Sequence, residues 1–113
     1  MKFVIIYAFV VALLQTASAQ SHNNQWGAHE VGDRLLHREI VQEEHKFMKI
    51  VSKDVNMKVP GIIHFIKATD QYVNGNGGYA TLSKGGIGEN EVTIHMKSQR
   101  NHGFNFIVEI YGK

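Results

Sequence analysis

The chain has 113 residues, no cysteine, and a formal charge of +2 that comes from 12 basic and 10 acidic side chains. This length suits one domain rather than two, and the nearly balanced charge excludes the strong field that nucleic acid recognition requires. Because small secreted domains usually rely on disulfides, a chain without cysteine must be stabilised by packing and backbone pairing alone.

The N-terminus has the three parts of a secretory signal. Lys2 gives the positive start, residues 3–14 are uncharged and mostly apolar, and a polar segment then ends in an Ala-Ser-Ala triplet. The apolar run is shorter than the roughly 20 residues that span a bilayer, and the small triplet suits signal peptidase. We therefore predict that residues 1–19 are a signal peptide and that cleavage falls between Ala19 and Gln20. The product should be secreted, extracellular and without membrane contact.

The mature chain would have 94 residues. Residues 20–32 lack any periodicity and are predicted to be a loose arm, while 33–113 are predicted to form one β-domain. The first part of this domain is open to two interpretations. Strands over 34–41 and 46–53 fit the apolar spacing, and a single helix over 34–53 fits it in part. We favour the strands.

The second half of the chain has the pattern of strands separated by turns. Strands are predicted over 61–68 and 79–84, and a clean period of two marks 91–97 and 104–111. The polar segment between the last two strands has the composition of a hairpin loop. The expected fold is therefore all-β, a single antiparallel β-sandwich or flattened barrel of about six strands.

Glycine clusters at 74–78 and 85–88 are typical of turns that need a positive φ. The second cluster leads into a strand rather than a helix, and no Gly-Lys-Ser/Thr follows, so it is not a phosphate loop. The first lacks the spacing and terminal glutamate of a calcium loop. We expect Gly77 and Gly86 to be structural, and alanine at either position should cost about 1 kcal/mol or more if φ is positive there.

Catalytic and metal-binding patterns are weak. No serine lies in a nucleophile-elbow context, and the seven histidines show no metal-ligand spacing, so we expect no enzyme activity. Cleavage would place Gln20, Ser21 and His22 at the N-terminus, where one amine, two amides and an imidazole can form a square-planar Cu(II) or Ni(II) clip. Because an N-terminal glutamine tends to cyclise to pyroglutamate, which removes the amine, we expect no metal or cofactor.

An ordered series of motifs resembles one family. The motifs include Asn-Gly-x-Gly-Gly at 74–78, Gly-Gly-Ile-Gly at 85–88, Lys-Ser-Gln-Arg at 97–100 and a terminal Tyr-Gly at 111–112. Together they resemble the multiprotein bridging factor 2 family of insects, many of whose members are named as salivary secreted peptides. The resemblance gives these signature residues: Asp70, Asn74, Gly75, Gly77, Gly78, Gly85, Gly86, Gly88, Ser98, Arg100, Gly103, Tyr111 and Gly112.

Two functions follow from these observations. The signal peptide predicts a secreted, non-enzymatic module of saliva or haemolymph, binding or structural, whose partner is an unidentified protein or small extracellular ligand. The family resemblance implies instead a transcriptional coactivator that bridges a nuclear receptor of the fushi tarazu factor 1 type to general transcription factor IIA. Since a protein in the secretory pathway does not easily reach a promoter, we favour the first.

Overall fold

A computed structural model describes residues 21–113, and both the predicted signal peptide and Gln20 lie outside this range. Two antiparallel sheets pack face to face around one core, with strand orders β1-β4-β7-β2 and β3-β6-β5. The strands are β1 (Asn24–Gly27), β2 (Arg34–Glu43), β3 (Ser52–Lys58), β4 (Ile63–Asp70), β5 (Tyr79–Gly85), β6 (Glu91–Lys97) and β7 (Phe104–Gly112). The all-β sandwich is confirmed: the described residues form seven strands instead of about six, and their two sheets do not close into a barrel. Among the described residues there is no helix, so the helical alternative for 34–53 is excluded.

The two strands with the clearest period of two are correctly predicted, but their pairing as a hairpin is wrong. Every second residue of β6 and β7 is fully buried, including Ile94 and Phe106. However, β6 is the central strand of the three-stranded sheet, whereas β7 pairs with β2 and β4 in the other sheet. The loop between them crosses from one sheet to the other. Alternation identifies the face that a strand turns to the core, and both sheets share that core.

Two further predictions differ from the structure. Residues 44–51, which include most of the strand expected over 46–53, form a loop, and β3 follows it. The reason is that Val55 and Met57 supply the buried positions of a strand that is otherwise polar. Residues 24–27, within the segment expected to be a loose arm, pair with β4 because Trp26 packs against the core.

The strand registers place the loops at two ends of the sandwich. One end, here called the loop end, consists of residues 21–23 and the loops 44–51, 71–78 and 98–103. The opposite end consists of the remaining loops and the C-terminus, Lys113. Backbone hydrogen bonds between neighbouring loops reinforce both ends, for example from Asn101 to Lys49 (3.0 Å) and from Val59 to Asn90 (2.9 Å). In the part of the chain that the structure describes, no helix could span a membrane.

Candidate functional site

The loop end is built on the carboxylate of Asp70, the last residue of β4. The residue is only 3% exposed, and its two oxygens accept hydrogen bonds from the backbone amides of His22 and Tyr72, each at 2.9 Å. Its own amide donates to the side-chain oxygen of Asn23 at 2.8 Å. These bonds satisfy a buried anion with main-chain donors and join the N-terminal residues to the end of β4.

The His22 side chain is also fixed by its surroundings. Its Nδ1 lies 3.3 Å and 3.2 Å from the carbonyl oxygens of Gly77 and Gly78, and its ring stacks on Tyr79 at 4.7 Å. A copper clip would have to deprotonate the same His22 amide that donates to Asp70 and turn Nδ1 away from these carbonyls. The clip, which we do not expect, would thus oppose the observed hydrogen bonds, and its first residue, Gln20, lies outside the described range. Within residues 21–113, no group of three or more His, Asp or Glu side chains is arranged so that it could hold a metal ion.

Two buried glycines let the 71–78 loop approach this network. A Cβ placed on Gly77 would lie 2.1 Å from Oδ2 of Asp70, and one on Gly78 would lie 2.7 Å from the carbonyl oxygen of Lys97. The condition of a positive φ is met at Gly86, with a value of 119°, and is not met at Gly77. Close approach rather than backbone freedom requires glycine at position 77.

We expect Gly77→Ala to lower the free energy of unfolding by about 1–3 kcal/mol, because the added methyl overlaps a carboxylate that two amides hold in place. The matched control is Gly88→Ala, where φ is +87° and no atom lies within 4 Å of the added Cβ. That change should cost only about 1 kcal/mol, from backbone strain alone. Urea unfolding of both variants measures the difference, and an equal or smaller cost at Gly77 would contradict the role of close approach.

The most exposed apolar group of the loop end lies in the loop from β2 to β3. Phe47 is 81% exposed, Met48 58% and Ile50 45%, and two exposed lysines, Lys46 and Lys49, lie in the same segment. We call residues 46–50 the tip. A single exposed apolar residue is ordinary, whereas three within one short segment make this a candidate interaction surface.

The tip is fixed by the neighbouring loop between β6 and β7. The guanidinium of Arg100 donates to the carbonyl of Met48 at 2.8 Å, and the side-chain oxygen of Asn101 accepts from the Met48 amide. Met48 and Asn101 both adopt a left-handed backbone, with φ of 58° and 69°. Such conformations persist where surrounding contacts determine them. The tip is therefore a preorganised projection.

At the opposite end, His64 lies between two carboxylates. Its Nδ1 is 2.7 Å from Oδ1 of Asp33, and its Nε2 is 3.0 Å from Oε2 of Glu30. The Asp33 side chain is only 4% exposed and also accepts the Glu30 amide at 2.8 Å. Burial by itself raises the pKa of Asp33, but the Glu30 amide, the His64 imidazole and Lys113 together hold it below the ordinary value for aspartate.

This lowered pKa predicts how stability depends on pH. A carboxylate whose pKa is lower in the folded state stabilises the fold above its unfolded pKa of about 4, and that stability is lost as the pH falls through the folded pKa. We expect Asp33→Asn to lower Tm at pH 7 and the difference from wild type to shrink below about pH 4. Melting curves across this range test it, with the more exposed Glu30→Gln as control. A Tm difference that is independent of pH would contradict the assignment.

Comparison with known proteins identifies the family. The family model described as "Transcription activator MBF2" matches residues 26–112. The chain belongs to the MBF2 family. It is also similar to a "Probable salivary secreted peptide" of Bombus ignitus, with 43% identity over 96 residues that cover 83% of this chain and 72% of that protein. No solved structure matches the chain.

The predicted signature residues divide between the two ends of the sandwich. Asn74 accepts the Asn76 amide at 3.0 Å, the Gly75 carbonyl accepts from Gln99 at 2.7 Å, and buried Ser98 accepts the Val51 amide at 2.8 Å. The signature residues of the loop end are Asp70, Asn74, Gly75, Gly77, Gly78, Ser98, Arg100 and Gly103; the β-strand ends and turn of the opposite end contain Gly85, Gly86, Gly88, Tyr111 and Gly112. The predicted signature residues therefore lie where loops are anchored, at both ends of the sandwich.

The side chain of Tyr111 lies on the outer face of the four-stranded sheet. Its ring contacts His29 and Phe65, at centroid distances of 4.9 Å and 6.0 Å, and its hydroxyl donates to Glu109 at 3.2 Å. Burial and this neighbouring carboxylate raise the pKa of Tyr111. The next position, 112, requires glycine because a Cβ there would lie 1.9 Å from the Ile62 carbonyl oxygen.

The sequence reasoning missed the tip. Residues 46–53 were predicted to form a strand, which would have buried alternate residues. However, the run Lys-Phe-Met-Lys-Ile contains adjacent apolar residues that no single strand face can bury together. That violation of a period of two was the available signal. The contacts of His64 with Asp33 and Glu30 were also not predicted, because they join residues about 30 positions apart in the chain.

Proposed function

We propose that this chain is a secreted, non-enzymatic β-sandwich that binds an extracellular partner through its tip. The observation that supports binding is the preorganised projection of Phe47 and Met48 into solvent. Secretion is supported by the signal pattern of residues 1–19 and by the name of the Bombus ignitus relative, a probable salivary secreted peptide. The lack of enzyme activity is supported by Asp70 and Asp33, two buried carboxylates whose oxygens are occupied by structural hydrogen bonds.

The alternative is a transcriptional coactivator, which the description of the family model favours. That function requires the chain to remain inside the cell with residues 1–19 attached or removed elsewhere. The two proposals therefore differ in location and in the N-terminal residue of the mature protein.

Expression of the full chain in insect cells separates them. We expect the protein in the medium, with Gln20 or pyroglutamate as its first residue by mass spectrometry, because the Ala-Ser-Ala triplet precedes this position. A matched variant with Ala17→Arg and Ala19→Arg, which should block cleavage, should retain the signal sequence. Nuclear protein with Met1 intact would contradict secretion and support the coactivator.

A capture experiment tests the binding surface. The secreted protein, immobilised through a C-terminal tag, should retain components of salivary or haemolymph fluid that a Phe47→Ser, Met48→Ser double variant does not retain. The control is Val31→Ser at the opposite end, since Val31 is 93% exposed and its loss should leave capture unchanged. Equal capture by wild type and the double variant would contradict the tip as the binding surface.

A further inference from the structure

The tip combines apolar and basic side chains in a way that points to one kind of partner. Lys46 and Lys49 lie in one segment with Phe47, Met48 and Ile50, and all five residues are exposed. Arg100, also exposed, donates to the Met48 carbonyl and so lies against the same segment. The only acidic residue of the 44–51 and 98–103 loops is Glu44. The tip therefore presents an apolar point within a positively charged rim.

The small size of the tip favours a binding partner whose surface can accept one or two inserted side chains. A stable protein interface buries about 800 Å² on each partner, and a projecting segment of five residues presents little of that area. A bilayer gains from the insertion of one or two apolar side chains, while lysines extend their charged groups toward the headgroups. Anionic headgroups add electrostatic attraction to nearby Lys and Arg.

The bracing of the tip removes a cost that a flexible loop would meet. Besides the contacts of Arg100 and Asn101 with Met48, the Lys49 amide donates to the Lys46 carbonyl and the Asn101 amide donates to the Lys49 carbonyl, each at 3.0 Å. Binding therefore does not have to order the backbone, and preorganisation of this kind increases affinity.

We infer that the tip docks on anionic lipid bilayers, with Phe47 and Met48 inserted among the headgroups and Lys46, Lys49 and Arg100 paired with lipid phosphates and carboxylates. This inference rests on the proposed function and names the partner class of the same surface. It differs from the expectation that no membrane contact follows signal cleavage. That expectation rested on the absence of a spanning segment and on a balanced total charge, neither of which describes a local projection.

Vesicle flotation of the secreted protein tests the inference. We expect partition into phosphatidylcholine vesicles that contain about one-third phosphatidylserine, at about 0.1 M salt, and at least about tenfold weaker partition into pure phosphatidylcholine. Phe47→Ser, Met48→Ser should weaken partition by about tenfold or more, since apolar side chains no longer insert. Lys46→Glu, Lys49→Glu should weaken it at least as much, and the wild-type interaction should fall at high salt.

The controls use the opposite end and the outer face of the three-stranded sheet. Val31→Ser and Lys58→Glu match the two kinds of change and should leave partition unchanged, and melting curves should show that all variants are folded. No partition by wild type, or equal partition by the Phe47→Ser, Met48→Ser variant, would overturn the lipid inference. Heparin binding that depends on the lysines but not on Phe47, without vesicle binding, would overturn it in favour of a soluble polyanion.

The lipid inference and the proposed function can fail separately. If vesicles are not bound but native-fluid proteins are captured in a tip-dependent way, the lipid inference is wrong and the proposed function stands. If the Phe47→Ser, Met48→Ser variant changes neither partition into vesicles nor capture of fluid components, both the lipid inference and the proposed function are wrong.

Discussion

Replacement of Ile110 by alanine should lower the free energy of unfolding by about 2–5 kcal/mol, because it creates a cavity in the centre of the core. Ile110 is 0% exposed and lies on β7, which pairs with both β2 and β4. A domain of this kind has a total stability of about 5–15 kcal/mol, and this one has no disulfide to limit the loss. Urea unfolding measures the effect as a lower midpoint with an unchanged slope.

The matched control is Ile40→Ala on the edge strand β2. Ile40 faces away from the core and is 57% exposed, so its truncation should cost less than about 1 kcal/mol. The two variants delete the same atoms from strands of one sheet and differ in burial. Similar losses at both positions would contradict the assignment of the core to the inward face of β7.

Much of the fold could be predicted because strand periodicity depends on local sequence. Val92, Ile94 and Met96 alternate with polar residues, and all three are fully buried. The pairing of β6 and β7 could not be predicted in this way. A repeat of every second residue shows which side of a strand is apolar. The repeat is the same whether the next strand lies beside it in the sheet or across the core in the other sheet.

The less regular strands were not predicted correctly for a related reason. β3 buries only Val55 and Met57 among polar residues, as expected for an edge strand that faces solvent on one side. β1 has four residues, and its pairing with β4 depends on Trp26 packing against the sheet. Short strands of this kind are specified by long-range contacts rather than by their own sequence.

The structural residues of the candidate site could be predicted from the sequence, but the exposed tip could not. The glycine turns and Asp70 were expected as structural residues, and the structure places Gly77 directly against Asp70. The conformation of the tip was not predictable, since Arg100 and Asn101 hold the Met48 backbone from a loop more than 50 residues away. The left-handed Met48 backbone that results has no local sequence signal, because positive φ is rare for residues other than glycine and asparagine.

The carboxylate of Asp70 should contribute more to stability than any other polar side chain of the loop end. We expect Asp70→Ala to lower the free energy of unfolding by about 2–4 kcal/mol, because it removes two hydrogen bonds to a charged acceptor and leaves the amides of His22 and Tyr72 without a partner. The 21–23 segment should detach, and amide hydrogen exchange at His22 should become fast. Exchange and urea unfolding together measure the local and global effects.

Asp54→Ala supplies the control, because Asp54 also pairs with a histidine, His95, at 2.6 Å, but its side chain is 66% exposed. Exposed pairs contribute about 0–1 kcal/mol, so this change should have little effect. A double variant then tests the cause of the glycine at position 77. If the Asp70 carboxylate is what excludes a Cβ there, Gly77→Ala should cost less in the Asp70→Ala background than in wild type. An unchanged cost would show that Asp70 and Gly77 act independently, and the close approach would then not explain the glycine.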